Sequence, residues 1–287
     1  MKRIPWPAML GATCLLAGCA SQPVLPSASS SLIRTDTKHS TITVGDPTQG
    51  KADKVYLAKV ERAVVMIQAN QPRQAMEPLN DVIRHYEKTY ANRGVTVYSA
   101  KDPTHSLAYL ASAAVAADDA EKAGKQGKNA IVVGPAWAMA HWAKGYAYDA
   151  MGQYGQARDE LQQALALAPM NSQYTSELAY TYLRAKSWSR ALSLYKDAEA
   201  RAELAPENTS IHLKCVALRG QGYALVELHH LDEAVMAYRN CLKLNPDDPK
   251  SHAELRYIDG LRKRNHPDPL QKYLNPAQSD RESSKSP

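Results

Sequence analysis

The 287-residue chain contains no phenylalanine. Tyr, Trp, Leu and Ala can still fill a core, and the 16 tyrosines supply most of the aromatic volume. No dense block of Lys and Arg interleaved with aromatics occurs, which argues against a nucleic-acid partner. The nearest, Arg262-Lys263-Arg264, closes an expected helix, where cations oppose the negative end of the helix dipole. Catalytic signatures are also missing: there is no G-x-S-x-G, H-E-x-x-H, Walker loop or dinucleotide-binding glycine fingerprint. "GKQGKN" at 124–129 lacks the loop length and the Ser/Thr that cradle phosphate, and reads as a turn. His229-His230 has no carboxylate or cysteine at metal-site spacing, and Asp118-Asp119, Asp159-Glu160 and Asp247-Asp248 read as helix-face or turn charges. No metal, cofactor or small-molecule substrate is indicated.

Long apolar runs are equally scarce. The apolar segment near the start, Ile4 to Gly18, holds no charge and follows Lys2 and Arg3, the plan of a secretory signal. Its fifteen residues fall short of the roughly 17–25 that span a bilayer as a helix, and Pro5 and Pro7 weaken a permanent span further. Leu16-Ala17-Gly18-Cys19 closes the segment and resembles the lipobox of bacterial lipoproteins. The resemblance implies cleavage before Cys19 and acylation of both its thiol and its new amino group. Several acyl chains anchor stably where one does not. Ala20 and Ser21 follow, with no acidic residue, which in Gram-negative lipoproteins suggests sorting to the outer membrane. Without residues 1–18 the chain has 33 basic and 29 acidic residues, a mild balance of +4. Of the four cysteines, Cys215 and Cys241 then remain, either as a disulfide suited to an oxidising compartment or as two small buried thiols.

The expected organisation is a signal peptide at 1–18, a flexible tether at 19–50 rich in Ser, Thr and Pro, and a divergent helical region at 51–130. Repeats with a terminal helix occupy 136–264, and a polar, proline-bearing tail at 265–287 is expected to be disordered. Within 51–130, helices are expected over 53–69 and 73–91, broken at Gln71-Pro72, and over 104–123. Gly124, Gly127, Gly134 and Pro135 mark a loop.

Residues 139–169, "MAHWAKGYAYDAMGQYGQARDELQQALALAP", set the repeat unit. Gly145 and Tyr148 precede a turn at Gly152; Ala157, Leu161 and Ala164 space the inner face of the next helix before Pro169. Ala179, Tyr182, Trp188, Ala191 and Tyr195 repeat this order, as do Gly222, Leu225, Leu231, Ala234, Tyr238 and Cys241. Small residues stand where two backbones must approach closely. The 34-residue step from Ala157 to Ala191, closed by proline, resembles the tetratricopeptide repeat. The resemblance implies an all-α solenoid of antiparallel helix pairs, with repeats at about 138–171, 172–205 and 215–248 and a capping helix at 249–264. Departures are Lys144 and Gln221 where the motif prefers Leu, His141 and Thr175 where it prefers Trp, and Glu203 where proline is expected. About nine additional residues around 200–210 should lengthen the second repeat's second helix or the loop after it.

On the first helix of the first repeat, Met139, Trp142, Tyr146 and Asp149 share a face. Tyr180 with Arg184, and Arg219 with Tyr223, occupy the matching places in the next two repeats. In tetratricopeptide proteins that face lines the concave groove. Tyr, Trp and Arg dominate binding hot spots, so this ladder suits a protein or peptide segment with apolar and acidic groups, or else packs between repeats. The sequence reads as a non-catalytic, lipid-anchored scaffold of the periplasmic face of the outer membrane. Similar layouts serve barrel assembly, pilus or secretion assembly and cell-wall regulation. Two alternatives are a glycan-related enzyme or accessory using 51–130, whose Glu61, Glu77 and Glu87 are dispersed, and a self-associating structural subunit.

Overall fold

Proline and left-handed residues punctuate the chain into helix pairs. Asn70, Lys186 and His229 adopt positive φ, as does Gly152, and each sits in the turn between two helices of a pair. A computed structural model describes residues 34–37, 40–44, 50–90, 93–125 and 129–265, with side chains for 53–90, 93–125 and 129–263. The signal segment, Cys19 and the tail from 266 lie outside the described residues. Along the chain run β1 (Arg34–Thr37), β2 (Ser40–Val44), α1 (Gly50–Gln68), α2 (Pro72–Tyr90), β3 (Thr96–Ser99), α3 (Pro103–Lys122) and β4 (Ala130–Val133). Then come α4 (Ala136–Ala150), α5 (Tyr154–Leu167), α6 (Ser172–Arg184), α7 (Trp188–Arg201), α8 (Glu207–Glu227), α9 (Leu231–Leu244) and α10 (Pro249–Asn265).

The helix pairs α4/α5, α6/α7 and α8/α9 lie in the stretch where repeats are expected, and α10 packs on α9. Ala157, Ala191 and Ala234, the small residues of the second helices, are fully buried. Gly220 and Gly222 let α8 lie between two tyrosines: a Cβ on Gly220 would meet the Tyr195 ring at 2.4 Å, and one on Gly222 the Tyr238 ring at 2.6 Å. The helix pair α1/α2 extends the same stacking in front of α4, with Val60, Ala63, Leu79, Val82 and Tyr86 buried. The expected break at Gln71-Pro72 is where it falls.

Departures from the repeat motif become polar ties between helices. Where apolar Trp and Leu would stand, His141 and Lys144 on α4 contact the Glu160 carboxylate on α5 at 2.8 and 2.6 Å. Thr175 accepts from Arg201 at 2.6 Å, and Gln221 donates to Glu199 at 2.6 Å. Burial opposes charge on Glu160, but His141 and Lys144 outweigh it and hold the carboxyl below its ordinary range.

Three features differ from expectation. A four-stranded sheet, ordered β1-β2-β4-β3, is added to the helices. β1 and β2 form an antiparallel hairpin within the stretch expected to be a tether, and β2 and β3 both pair parallel to β4. Strands of four or five residues show too little alternation to be read singly; pairing with distant segments makes them. The Ser99 hydroxyl ties the sheet to the repeats, donating to the Gly134 carbonyl at 2.8 Å and accepting from the Ala138 amide at 3.3 Å. Second, the residues inserted near 200–210 make a short 3₁₀ turn (Ala202–Leu204) and lengthen α8 to 21 residues, so the extension lies at the front of the third repeat rather than in α7. Third, Asp248 is no solvated turn charge: it is buried, caps α10 by accepting from the Ser251 amide at 2.7 Å, and pairs with Arg219 at 2.9 Å.

Candidate groove on the first-helix face

The ladder residues fall into two sets. Trp142, Tyr180 and Arg219 are buried, with exposures of 1%, 3% and 6%. Their spacing of three and four sets them on the expected face, but the neighbouring helix closes over them. Trp142 stacks between Tyr146 and Tyr174 at 6.0 and 6.1 Å. Arg219 is spent on Asp248. These three form the floor and seam, which is the packing role, and are not surface contacts. Met139, Tyr146, Asp149 and Tyr223 remain partly open, and Arg184 is exposed. Tyr223 leans on Trp188 at 6.4 Å, and Arg184 donates to the Tyr154 hydroxyl at 2.7 Å while lying over that ring. The surface is therefore an aromatic and methionine strip along α4 and α8, with α6 between them.

Cys215 on α8 and Cys241 on α9 are bonded, with Cα atoms 4.8 Å apart. The bond staples the third repeat next to Arg219, and resolves the two alternatives in favour of the disulfide.

Sequence spacing did not single out Glu177. It lies on α6, half-buried, across from Asp149. Burial, reinforced by the Asp149 charge, pushes the Glu177 carboxyl up to about 8. Burial likewise pushes Asp149 up to about 6, against a lowering contribution from Arg184. Burial also raises Tyr146, Tyr180 and Tyr195 around them, so these phenols stay neutral. A glutamate in a run of motif residues looks like ordinary helix surface; only the packing of α4 against α6 shows it as a desolvated acid.

A separate polar cavity of about 410 Å³ lies among α2, α4 and α5 and is lined by Asn80, Arg84, Glu87, Lys144, Glu160 and Gln163 among others. It touches the region where a glycan enzyme would need its carboxylates. Its half-buried carboxylate, Glu160, is held below its ordinary range by the contacts from His141 and Lys144, so it is not poised as a general acid. Among the described residues no group of three or more His, Cys, Asp or Glu side chains could hold a metal, and no helix is long and apolar enough to cross a membrane.

Two tetratricopeptide-repeat family models match the chain, over residues 138–171 and 220–248. These segments are tetratricopeptide repeats. The intervening α6/α7 pair continues their helical architecture. No curated protein matches the sequence. Among solved structures, the MamA RS-1 ArsTM double mutant is 16% identical, with 83% of this chain and 99% of that one covered and a TM-score of 0.47. The first TPR of Spaghetti (RPAP3) bound to the HSP90 peptide SRMEEVD is 27% identical, with 43% of this chain and 91% of that one covered and a TM-score of 0.38. The N-terminal domain of stress-induced protein-1 from C. elegans is 19% identical, covering 42% of this chain and 94% of that one, at a TM-score of 0.38. Tetratricopeptide repeats are in general non-catalytic protein-interaction scaffolds.

Proposed function

We propose that this chain is a non-catalytic, membrane-anchored scaffold that holds a protein or peptide segment against the first-helix face of its repeats. The observation that carries the reading is the partly open strip of Met139, Tyr146 and Tyr223 laid over a rigid floor of Trp142, Tyr174 and Tyr180. Rigid aromatic surface gives contact area at low ordering cost, which favours a bound segment. The lipobox resemblance at Cys19 supports a lipid anchor, and the residues after it support the periplasmic face of a bacterial outer membrane. The Cys215–Cys241 disulfide fits an oxidising compartment. Holding a partner beside the bilayer raises its effective concentration there, which suits barrel assembly, pilus or secretion assembly, or cell-wall regulation.

Two experiments test this. Cys19→Ser should leave an unprocessed precursor or release the protein from membranes; unchanged partitioning and mature size defeat the anchor. Affinity capture from crosslinked cells should recover a partner with the native chain and lose it with Tyr146→Ala/Tyr223→Ala at unchanged helicity. A partner kept by the variant moves binding off this face.

A further inference from the structure

Helix α3 is apolar on its outer side as well as its inner one. It contacts β2 and β4, and its buried stripe is His105, Tyr109 and Ala113, with Tyr109 stacked on Tyr98 of β3 at 5.2 Å. Turned away from that stripe, Leu107, Ala111 and Val115 recur at a spacing of four and are exposed, Leu107 at 64% and Val115 at 61%. No charged residue stands between Ser106 and Ala117. The open face of a surface helix ordinarily carries charged and polar residues, and a helix that is apolar all round is ordinarily covered all round. Tyr, Trp and Arg, which anchor protein interfaces, are absent from this stripe.

We propose that α3 lies along the bilayer surface, with Leu107, Ala111 and Val115 set into the boundary between headgroups and acyl chains. This rests on the lipid anchor at Cys19. The position of the helix along the chain selects lipid as the occupant. β1 begins at Arg34, 15 residues after Cys19, so even a fully extended link reaches no more than about 50 Å from the anchor. β1 pairs with β2, β2 with β4, and α3 packs on both β2 and β4. The sheet that carries α3 is thus the first described part of the chain after the anchor. Lys101 precedes the helix, and Lys122 and Lys125 close it, where their long stems let the ammonium groups reach headgroups. Asp118 pairs with Lys122 at 2.6 Å, and Asp119 and Glu121 offset the other two lysines. The attraction is therefore apolar, and added salt should leave it in place. With α3 against the lipid, the anchor fixes the orientation of the repeats as well as their location.

The test is spin-label depth measurement on the mature full-length protein in phosphatidylcholine vesicles, with Leu107→Cys, Val115→Cys and, as a control on the exposed surface of α9, Met236→Cys. Labels at 107 and 115 should be more accessible to oxygen, which concentrates in the bilayer, than to a water-soluble nickel chelate, and the label at 236 should read as aqueous. The pattern should persist in 1 M salt. Ala111→Glu places a charge in the middle of the stripe and should return the 115 label to the aqueous value, with circular dichroism unchanged. Aqueous values at 107 and 115 in protein that stays with the vesicles overturn the proposal and leave the anchor standing. Spin–spin broadening at 107 and 115 that is lost on dilution with unlabelled protein also overturns it, because a second copy then covers the face. Protein that does not stay with the vesicles defeats the anchor and this proposal together.

Discussion

Replacing Glu177 with Gln should stabilise the protein in a strongly pH-dependent way. The carboxyl is raised to about 8 in the folded chain from an ordinary 4.5, first by burial and then by Asp149. Between those values the folded state holds a proton that the unfolded state has lost. Stability therefore falls as pH rises through the window, and the loss is complete above pH 8. Each unit is worth about 1.4 kcal/mol, and partial solvent access to Glu177 screens the total, leaving a cost of about 2–3 kcal/mol at pH 9. Glutamine mimics the protonated acid in shape and charge. The variant and wild type should therefore unfold at matching urea midpoints at pH 4, below both values, while the variant should exceed wild type by about 2–3 kcal/mol at pH 9. Asp149, raised to about 6 by burial, adds a smaller fall of the same sign at lower pH, common to both proteins. A pH-independent difference, or a variant less stable at pH 9, would refute the claim that Glu177 is a desolvated acid.

Other perturbations probe the third repeat. Arg219→Ala strands the buried Asp248 carboxylate and should cost about 3–5 kcal/mol in urea unfolding; a loss below 1 kcal/mol would mean that the pair is solvated. Reduction of Cys215–Cys241, which closes a loop across 26 positions, should lower stability by about 3.5 kcal/mol on the chain-entropy relation. A melting temperature indifferent to reductant would count against a bonded state in solution. Gly220→Ala forces a methyl into the Tyr195 ring and should cost about 1–3 kcal/mol through overpacking; a neutral effect would mean that α7 and α8 are less tightly apposed.

The repeats were legible because their information is local and periodic. Ala157, Ala191 and Ala234 recur where backbones touch, and each is fully buried. The sheet was not legible, because Ala130–Val133 becomes a strand only by pairing with Thr96–Ser99 across α3 and with Ser40–Val44 far earlier. The candidate face was half legible. Helical spacing correctly put Trp142 and Tyr146 on one side, but spacing cannot tell a residue that points at solvent from one the neighbouring helix covers, and Trp142, Tyr180 and Arg219 are covered. The disulfide was an open alternative until the α8/α9 crossing brought Cys215 and Cys241 together. Glu177 was missed for a related reason: its character comes first from burial and then from the charge of Asp149, on another helix.

The central claim is that a partner segment lies along the first-helix face. Its most direct test is a photo-crosslinking amino acid placed in living cells at Met139, on that face, and at Met236, exposed on α9. The account predicts a discrete crosslinked protein from position 139 and none from 236. The same adduct from 236 alone, or none from 139, would contradict it.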